Sequence, residues 1–245
     1  MNRSDLEEEI GRLLNDPNHT KWTTGDLRDR IEFAQTEVQA LTGAVKTKES
    51  LTPVAETFEV QVNANVIDVT RVTLTESDGT VNILTGRSRE DLDFYRPNWK
   101  NENSGKPEEF SWDASNRNII LVPKPSSAYA VASGLDVWEV RIPTSLAADS
   151  SEPFDANALM KPYHMSIVHW VVAQCFMDDG TPTALAKSKF HVSGNINSPG
   201  EYEKELRKIN AKFTSPTSIP ARIKWAPQGG RLGGGRWPSK SYPLG

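Results

Sequence analysis

Cysteine is nearly missing: Cys175 is the single one in 245 residues. No intramolecular disulfide can form, and synthesis in a reducing compartment, a cytoplasm, is expected. Long apolar runs are missing too. Stretches such as Trp170 to Ala173 fall far short of the roughly 20 residues a bilayer-spanning helix needs. The residues after Met1 (Asn, Arg, Ser, Asp) make no apolar signal core, so no membrane partner is expected. Histidine is scarce, with four residues. His164 and His169 are five apart and fall on different sides of a helix, while His19 and His191 lie in or near loops, so no metal site is expected. No phosphate loop is present, because Ser104-Gly105-Lys106-Pro107 lacks the glycine five positions before Gly105 and no helix follows Gly235. No Gly-x-Ser-x-Gly elbow occurs. Cys175 sits inside an apolar stripe, Glu108 and Glu109 point to opposite faces of a strand, and Asp178-Asp179 end a helix at Gly180. With no set of residues in matched roles, neither an enzyme nor a cofactor is expected.

Acid is absent from one end. From Thr214 onward the charges are Arg222, Lys224, Arg231, Arg236 and Lys240; the whole chain is -4, so this +5 stretch leaves -9 for residues 1–213. An acidic body argues against a general nucleic-acid binder. The basic end is rich in glycine and carries Pro220, Pro227, Pro238 and Pro243, which oppose helix. Trp225, Trp237 and Tyr242 are spaced along it as anchors of the kind that dominate interfaces. Three uses compete: a phosphate loop, a single-stranded nucleic-acid tail, or an arm that docks on another protein. The arm explains most, with Arg222, Trp225, Arg231, Arg236, Trp237 and Tyr242 as its contact residues. Fully extended, the 32 residues 214–245 reach about 100 Å.

The whole chain is 37% hydrophobic, ample for a sizeable core. Ser4 with Glu7 gives a capping-box pattern, followed by Leu6, Ile10, Leu13 and Leu14 on one face. From Thr23 or Thr24 a second helix carries Leu27, Ile31, Ala34, Val38 and Leu41 at helical spacing and ends at Gly43. The pattern then turns to β. Strands are expected over 57–62, 69–75, 80–84, 110–112, 118–122 and from Leu135 to Ile142, with hairpin turns at Glu76-Ser77-Asp78-Gly79 and Asp113-Ala114-Ser115-Asn116. Ser88 with Asp91 starts a short helix through Tyr95. Helices return after that: Asp155 is expected to cap one that runs on, past Pro162, to Asp179, with Met165, Val168, Val171, Val172, Cys175 and Phe176 as its apolar stripe. A weaker helix covers 183–192, and Ser198-Pro199 with Glu201 opens a last one carrying Tyr202, Leu206, Ile209 and Phe213.

This order predicts an α+β fold. Helices of residues 1–51 and 146–213 form one bundle, an antiparallel β-domain of residues 52–145 is inserted between them, and residues 214–245 extend as an arm. The bundle core is expected from Leu27, Ile31, Val38 and Leu41 against Val168, Val172 and Phe176. Trp99, Trp112 and Trp138 fall in or beside the β-region, where they serve as core or interface, or as a platform for a carbohydrate.

The residues Trp22 and "LRDRIEFAQTEVQALTG", then "GKPEEFSWD", "IILVPKPSS" and "LDVWEVRIP", and finally "MKPYHMSIVHWVVAQCFMDDG", make the chain resemble the head-to-tail adaptor, or connector, proteins of tailed bacteriophages over residues 20–213. The resemblance implies a structural virion protein, located at the neck between capsid and tail. It implies a homo-oligomeric ring, typically dodecameric, mounted under the portal protein. That ring extends the DNA channel, lets DNA pass without specific binding, and offers a platform to tail proteins. C-terminal arms in such proteins often bind the portal. Two other readings stay open at this point: a carbohydrate-binding virion module built on the tryptophans, and a single-stranded nucleic-acid binder acting through the tail.

Overall fold

The computed structural model describes residues 1–192 and 199–213. Helix α1 (Arg3–Leu14) buries Leu6 and Ile10 and packs Leu13 and Leu14 against the same core. Its cap differs from the Ser4–Glu7 expectation. Asn2 is the N-cap: its Oδ1 accepts from the Asp5 amide at 2.9 Å, while Asp5 accepts from the Asn2 amide at 2.8 Å. The same reciprocal geometry fits either pair on spacing alone, and the structure starts the helix two residues earlier. Helix α2 (Thr24–Thr42) begins at the Thr23 cap and ends at Gly43 in the left-handed conformation, φ 55°. A side chain there would be strained by that φ, and its Cβ would also sit 3.3 Å from the Val140 methyl. Gly43 is therefore where the helix turns tightly onto the β-region.

Eight strands follow: β1 (Lys46–Leu51), β2 (Glu59–Gln61), β3 (Val66–Thr75), β4 (Val81–Ile83), β5 (Thr85–Gly86), β6 (Glu109–Asp113), β7 (Asn118–Val122) and β8 (Leu135–Arg141). They form two sheets, ordered β1-β8-β3-β4 and β2-β7-β6-β5. Every pairing is antiparallel except the two-residue β5, which runs parallel to β6. The inner faces meet in a core that includes Val60, Val72, Leu74, Phe110, Leu121, Leu135 and Val137. The short helix α3 (Arg89–Tyr95), capped by Ser88 through the Asp91 amide, covers the other side of the second sheet. There Leu92 and Trp99 pack on Ile120 and Val122. β1 and β8, the first and last strands, are paired with Lys46 opposite Val140. The chain therefore leaves the helices and returns to them at one place, as an insertion requires.

Residues 142–164 form an irregular strap back to the bundle. Asp155 does not cap a helix as expected. It lies in a short 3-10 segment, Phe154–Ala156, at φ 53°, and its carboxylate accepts from the Thr144 amide at 2.8 Å. Three consecutive residues at positive φ break the chain direction here, so the next helix starts ten residues later. Helix α4 (Met165–Asp179) buries Ile167, Val168, Val171, Val172, Ala173, Cys175 and Phe176. It is apolar nearly all round because α1, α2, α5 (Pro182–Val192) and α6 (Glu201–Phe213) surround it. Tyr202, Leu206 and Ile209 of α6 close the core. Ser198, the expected cap of α6, lies outside the described residues.

Candidate functional site

The helical residues singled out above come together in one core. Leu27, Ile31 and Val38 of α2 and Val168 and Val172 of α4 are fully buried, Phe176 is nearly so, and Leu41 packs against them partly buried. Long-range polar clamps, which the apolar pattern did not point to, hold this core to the strap. Gln35 is buried, donates to the Thr144 carbonyl at 3.2 Å, and accepts from the Phe154 amide at 2.6 Å. Glu32 accepts from the Ser145 hydroxyl at 2.6 Å and from the Leu146 amide at 3.1 Å. Gln39 ties the end of α2 to both backbone groups of Val45. At the amino end, buried Arg3 donates to the Leu146 carbonyl and pairs with Asp149. Glu7 joins it to Arg28 of α2 at 2.9 Å. The one sequence signal for these clamps is a pair of glutamines four residues apart, Gln35 and Gln39, in line with Ile31 on the apolar face of α2.

The outer surface carries large apolar side chains on both the helices and the β-region. On the helices, Phe33 is 58% exposed beside Trp170, with ring centroids 5.3 Å apart, and Phe190 is 59% exposed. On the β-region, Phe94 is 77% exposed and Tyr95 65% exposed, set edge to face at 4.9 Å, with the Arg87 guanidinium 5.6 Å over the Tyr95 ring. The two edges of the first sheet differ. β1 presents Lys46 and Lys48, charges that resist strand addition, while the three-residue β4 exposes Val81 and Ile83.

The three tryptophans do not share a face. Trp99 is buried under α3, with its indole donating to Asp93 at 2.9 Å. Trp112 packs on the sandwich core from β6. Trp138 lies on the outer face of the first sheet between two cations, Arg71 at 4.8 Å and Lys48 at 5.6 Å from its ring centre. A sugar-stacking platform built from all three is therefore not formed.

Titratable groups are used for structure. Burial pushes the Cys175 thiol up to about 11, which keeps it protonated within the helical core. Burial, reinforced by the nearby amino terminus, lowers His164 to about 4, so its ring is neutral beside Phe154. Asp16 is held well below the usual carboxylate range by hydrogen bonds from the Trp22, Thr20 and Lys21 amides and the Thr20 hydroxyl, which fold the turn between α1 and α2. Burial raises Glu139 at the joint of β8 with the bundle, against the pull of Arg141. Among the described residues, no group of three or more His, Cys, Asp or Glu is placed to hold a metal ion. No described helix is long and apolar enough to cross a membrane. The expected arm residues Arg222, Trp225, Arg231, Arg236, Trp237 and Tyr242 lie outside the described residues.

A packed, clamped body with apolar side chains displayed on its helices and its β-region is suited to binding other proteins. Residues 1–194 of the chain match the family model described as SU10 adaptor protein. No curated protein matches the chain.

Proposed function

The chain belongs to the SU10 adaptor protein family, and from that premise we propose that it is the ring-forming adaptor between the capsid portal and the tail of a bacteriophage. The role is structural and non-enzymatic. Copies of the chain associate side by side through the helical bundle into a ring, dodecameric by the resemblance noted above. The ring sits under the portal and continues the DNA channel. The β-sandwich projects from it towards tail proteins. The basic stretch 214–245 is the docking arm, and its aromatic residues supply most of the contact.

One observation carries this reading beyond the family match: Phe33 and Phe190 on the helices and Phe94 and Tyr95 on the sandwich are exposed on an otherwise well-packed body. Large apolar side chains in water mark surfaces that are covered in an assembly. The acidic body supports passage of DNA, because phosphate contacts from a basic lumen would retain it.

Native mass spectrometry of the chain, alone and with portal rings, tests the proposal. A closed homo-oligomer on the portal is the expected result. A monomer that never joins the portal contradicts it, and salt-sensitive binding of single-stranded DNA lost with residues 214–245 would turn the tail into a nucleic-acid binder.

A further inference from the structure

α5 folds back on α4 through a tight turn: Gly180 is left-handed, φ 67°, and the Thr181 hydroxyl accepts from the Ala184 amide at 3.2 Å. That turn sets two histidines far apart in sequence against each other. His169 Nδ1 lies 3.1 Å from His191 Nδ1, and the rings are tilted by 32°. His191 is walled by Phe176, stacked at 6.1 Å, and by Phe190, edge-on at 5.3 Å, and is 8% exposed. Burial lowers both imidazoles, His191 to about 4, so both are neutral near pH 7. The charges that act on the pair are mainly acidic. Glu201 of α6 acts on both rings, Glu205 of α6 and Glu9 of α1 act on His169, and Lys204 opposes them.

Two neutral imidazoles this close either share one N–H or direct two lone pairs at one cation. The spacing of 3.1 Å admits either arrangement. With metal–nitrogen bonds of about 2.0–2.1 Å, two nitrogens on one ion lie about 2.9 Å apart at a right angle and about 3.4 Å apart at the tetrahedral angle. The observed separation falls between these. We propose that His169 and His191 bind one borderline transition-metal ion, zinc(II) as the type case, through their Nδ1 atoms. Water fills the other positions, Glu201 balances the charge, and the ion clasps α5 to α4. Imidazole donors exclude magnesium and calcium, which take oxygen ligands. With no third His, Cys, Asp or Glu placed to complete the site, the affinity is weaker than that of a four-ligand structural zinc site.

The test uses the full chain, labelled with ¹⁵N at its four histidines, and zinc chloride as the probe. The expected result is saturable uptake of one ion per chain, with the imidazole nitrogens of His169 and His191 shifting and those of His19 and His164 unmoved. The thermal midpoint rises with zinc concentration and does not respond to magnesium. H169Q and H191Q should each weaken zinc binding at least tenfold, and E201Q several-fold. The proposal is overturned if the four imidazoles do not respond, if the response falls on His19 or His164, or if a folded H169Q variant binds zinc like the parent. Because the spectrum of the parent chain decides, misfolding of a variant does not rescue the proposal.

Discussion

The helical core and the sandwich core are assembled from the chain in opposite ways. The helical core joins residues from Leu6 to Ile209 across the whole intervening β-region. The sandwich core is drawn from one continuous stretch, Val60 to Val137. The first is a long-range contract between both ends of the chain, sealed by polar clamps such as Gln35 to Phe154 and Arg3 to Asp149. The second closes when β1 meets β8, two strands that begin and end at the same point on the bundle. A further contrast is chemical: all four histidines are outside the sandwich, at positions 19, 164, 169 and 191. The helical part is thus expected to be the more sensitive to mild acid and to loss of either α1 or α6, and the sandwich to hold together as a unit.

Separating the helices from the sandwich is expected to have the largest effect. Replacing residues 46–141 with a short Gly/Ser linker should leave a cooperatively folded helical protein by circular dichroism. The stretch 46–141 expressed alone should melt as a β-protein. Loss of all helical signal in the first would mean that the bundle needs the sandwich.

Next in size are core truncations. Ile31→Ala and Val172→Ala remove buried side chains from the helical core, with an expected cost of about 2–5 kcal/mol for the isoleucine and less for the valine. Leu74→Ala should cost a similar about 2–5 kcal/mol in the sandwich. Differential scanning calorimetry should show each variant lowering its own transition. A single transition shifted equally by both would merge the two parts into one cooperative unit.

The clamps come third. Gln35→Ala leaves the Phe154 amide and the Thr144 carbonyl without their side-chain partner. Denaturant unfolding should report a loss of about 1–3 kcal/mol from the helical transition. No measurable loss would mean that the strap is held by its apolar contacts alone.

The smallest expected effect is on pH dependence. The ordinary histidine pKa is about 6.5, and His164 is lowered to about 4 in the fold. Its neutral form is favoured by folding, so its contribution is complete above about pH 6.5 and is lost as the pH falls towards 4. The helical transition should therefore weaken between pH 7 and pH 5 more than the sandwich transition does, and His164→Leu should flatten that slope. An unchanged slope would assign the acid sensitivity elsewhere.

These particulars also show what was legible in the sequence. The stripe of α2, the Ser88 cap and both hairpin turns were readable because each is decided within a few residues. β1 was not, because its segment Lys46–Leu51 is an almost wholly polar edge strand whose only apolar residue is Leu51. Nothing in its periodicity separates it from a loop until β8 is there to pair with it. Asp155 has the right residue type for a helix cap, but three left-handed residues around it turn the chain away. Gln35 and the His169–His191 pair depend on partners more than a hundred and more than twenty residues away, respectively, and no local window contains them. The tryptophans were readable as core or interface, but the sandwich had to be seen before Trp99 could be placed beneath α3 and Trp138 between its two cations.

The proposed role is that of an adaptor that joins the portal. The most direct measurement is co-sedimentation with portal-bearing capsids that lack their own adaptor, using the full chain beside one ending at Phe213. The account predicts that the full chain sediments with the capsids and that electron micrographs show a ring of added density under the portal vertex. The chain ending at Phe213 should fold normally yet attach poorly. Trp237→Ala should weaken attachment more than Lys240→Ala, because at an interface an aromatic anchor generally contributes more than a solvated charge. Failure of the full, folded chain to sediment with portal-bearing capsids would contradict the adaptor assignment. Equal attachment of both chains would leave the adaptor in place and remove the arm as its docking element.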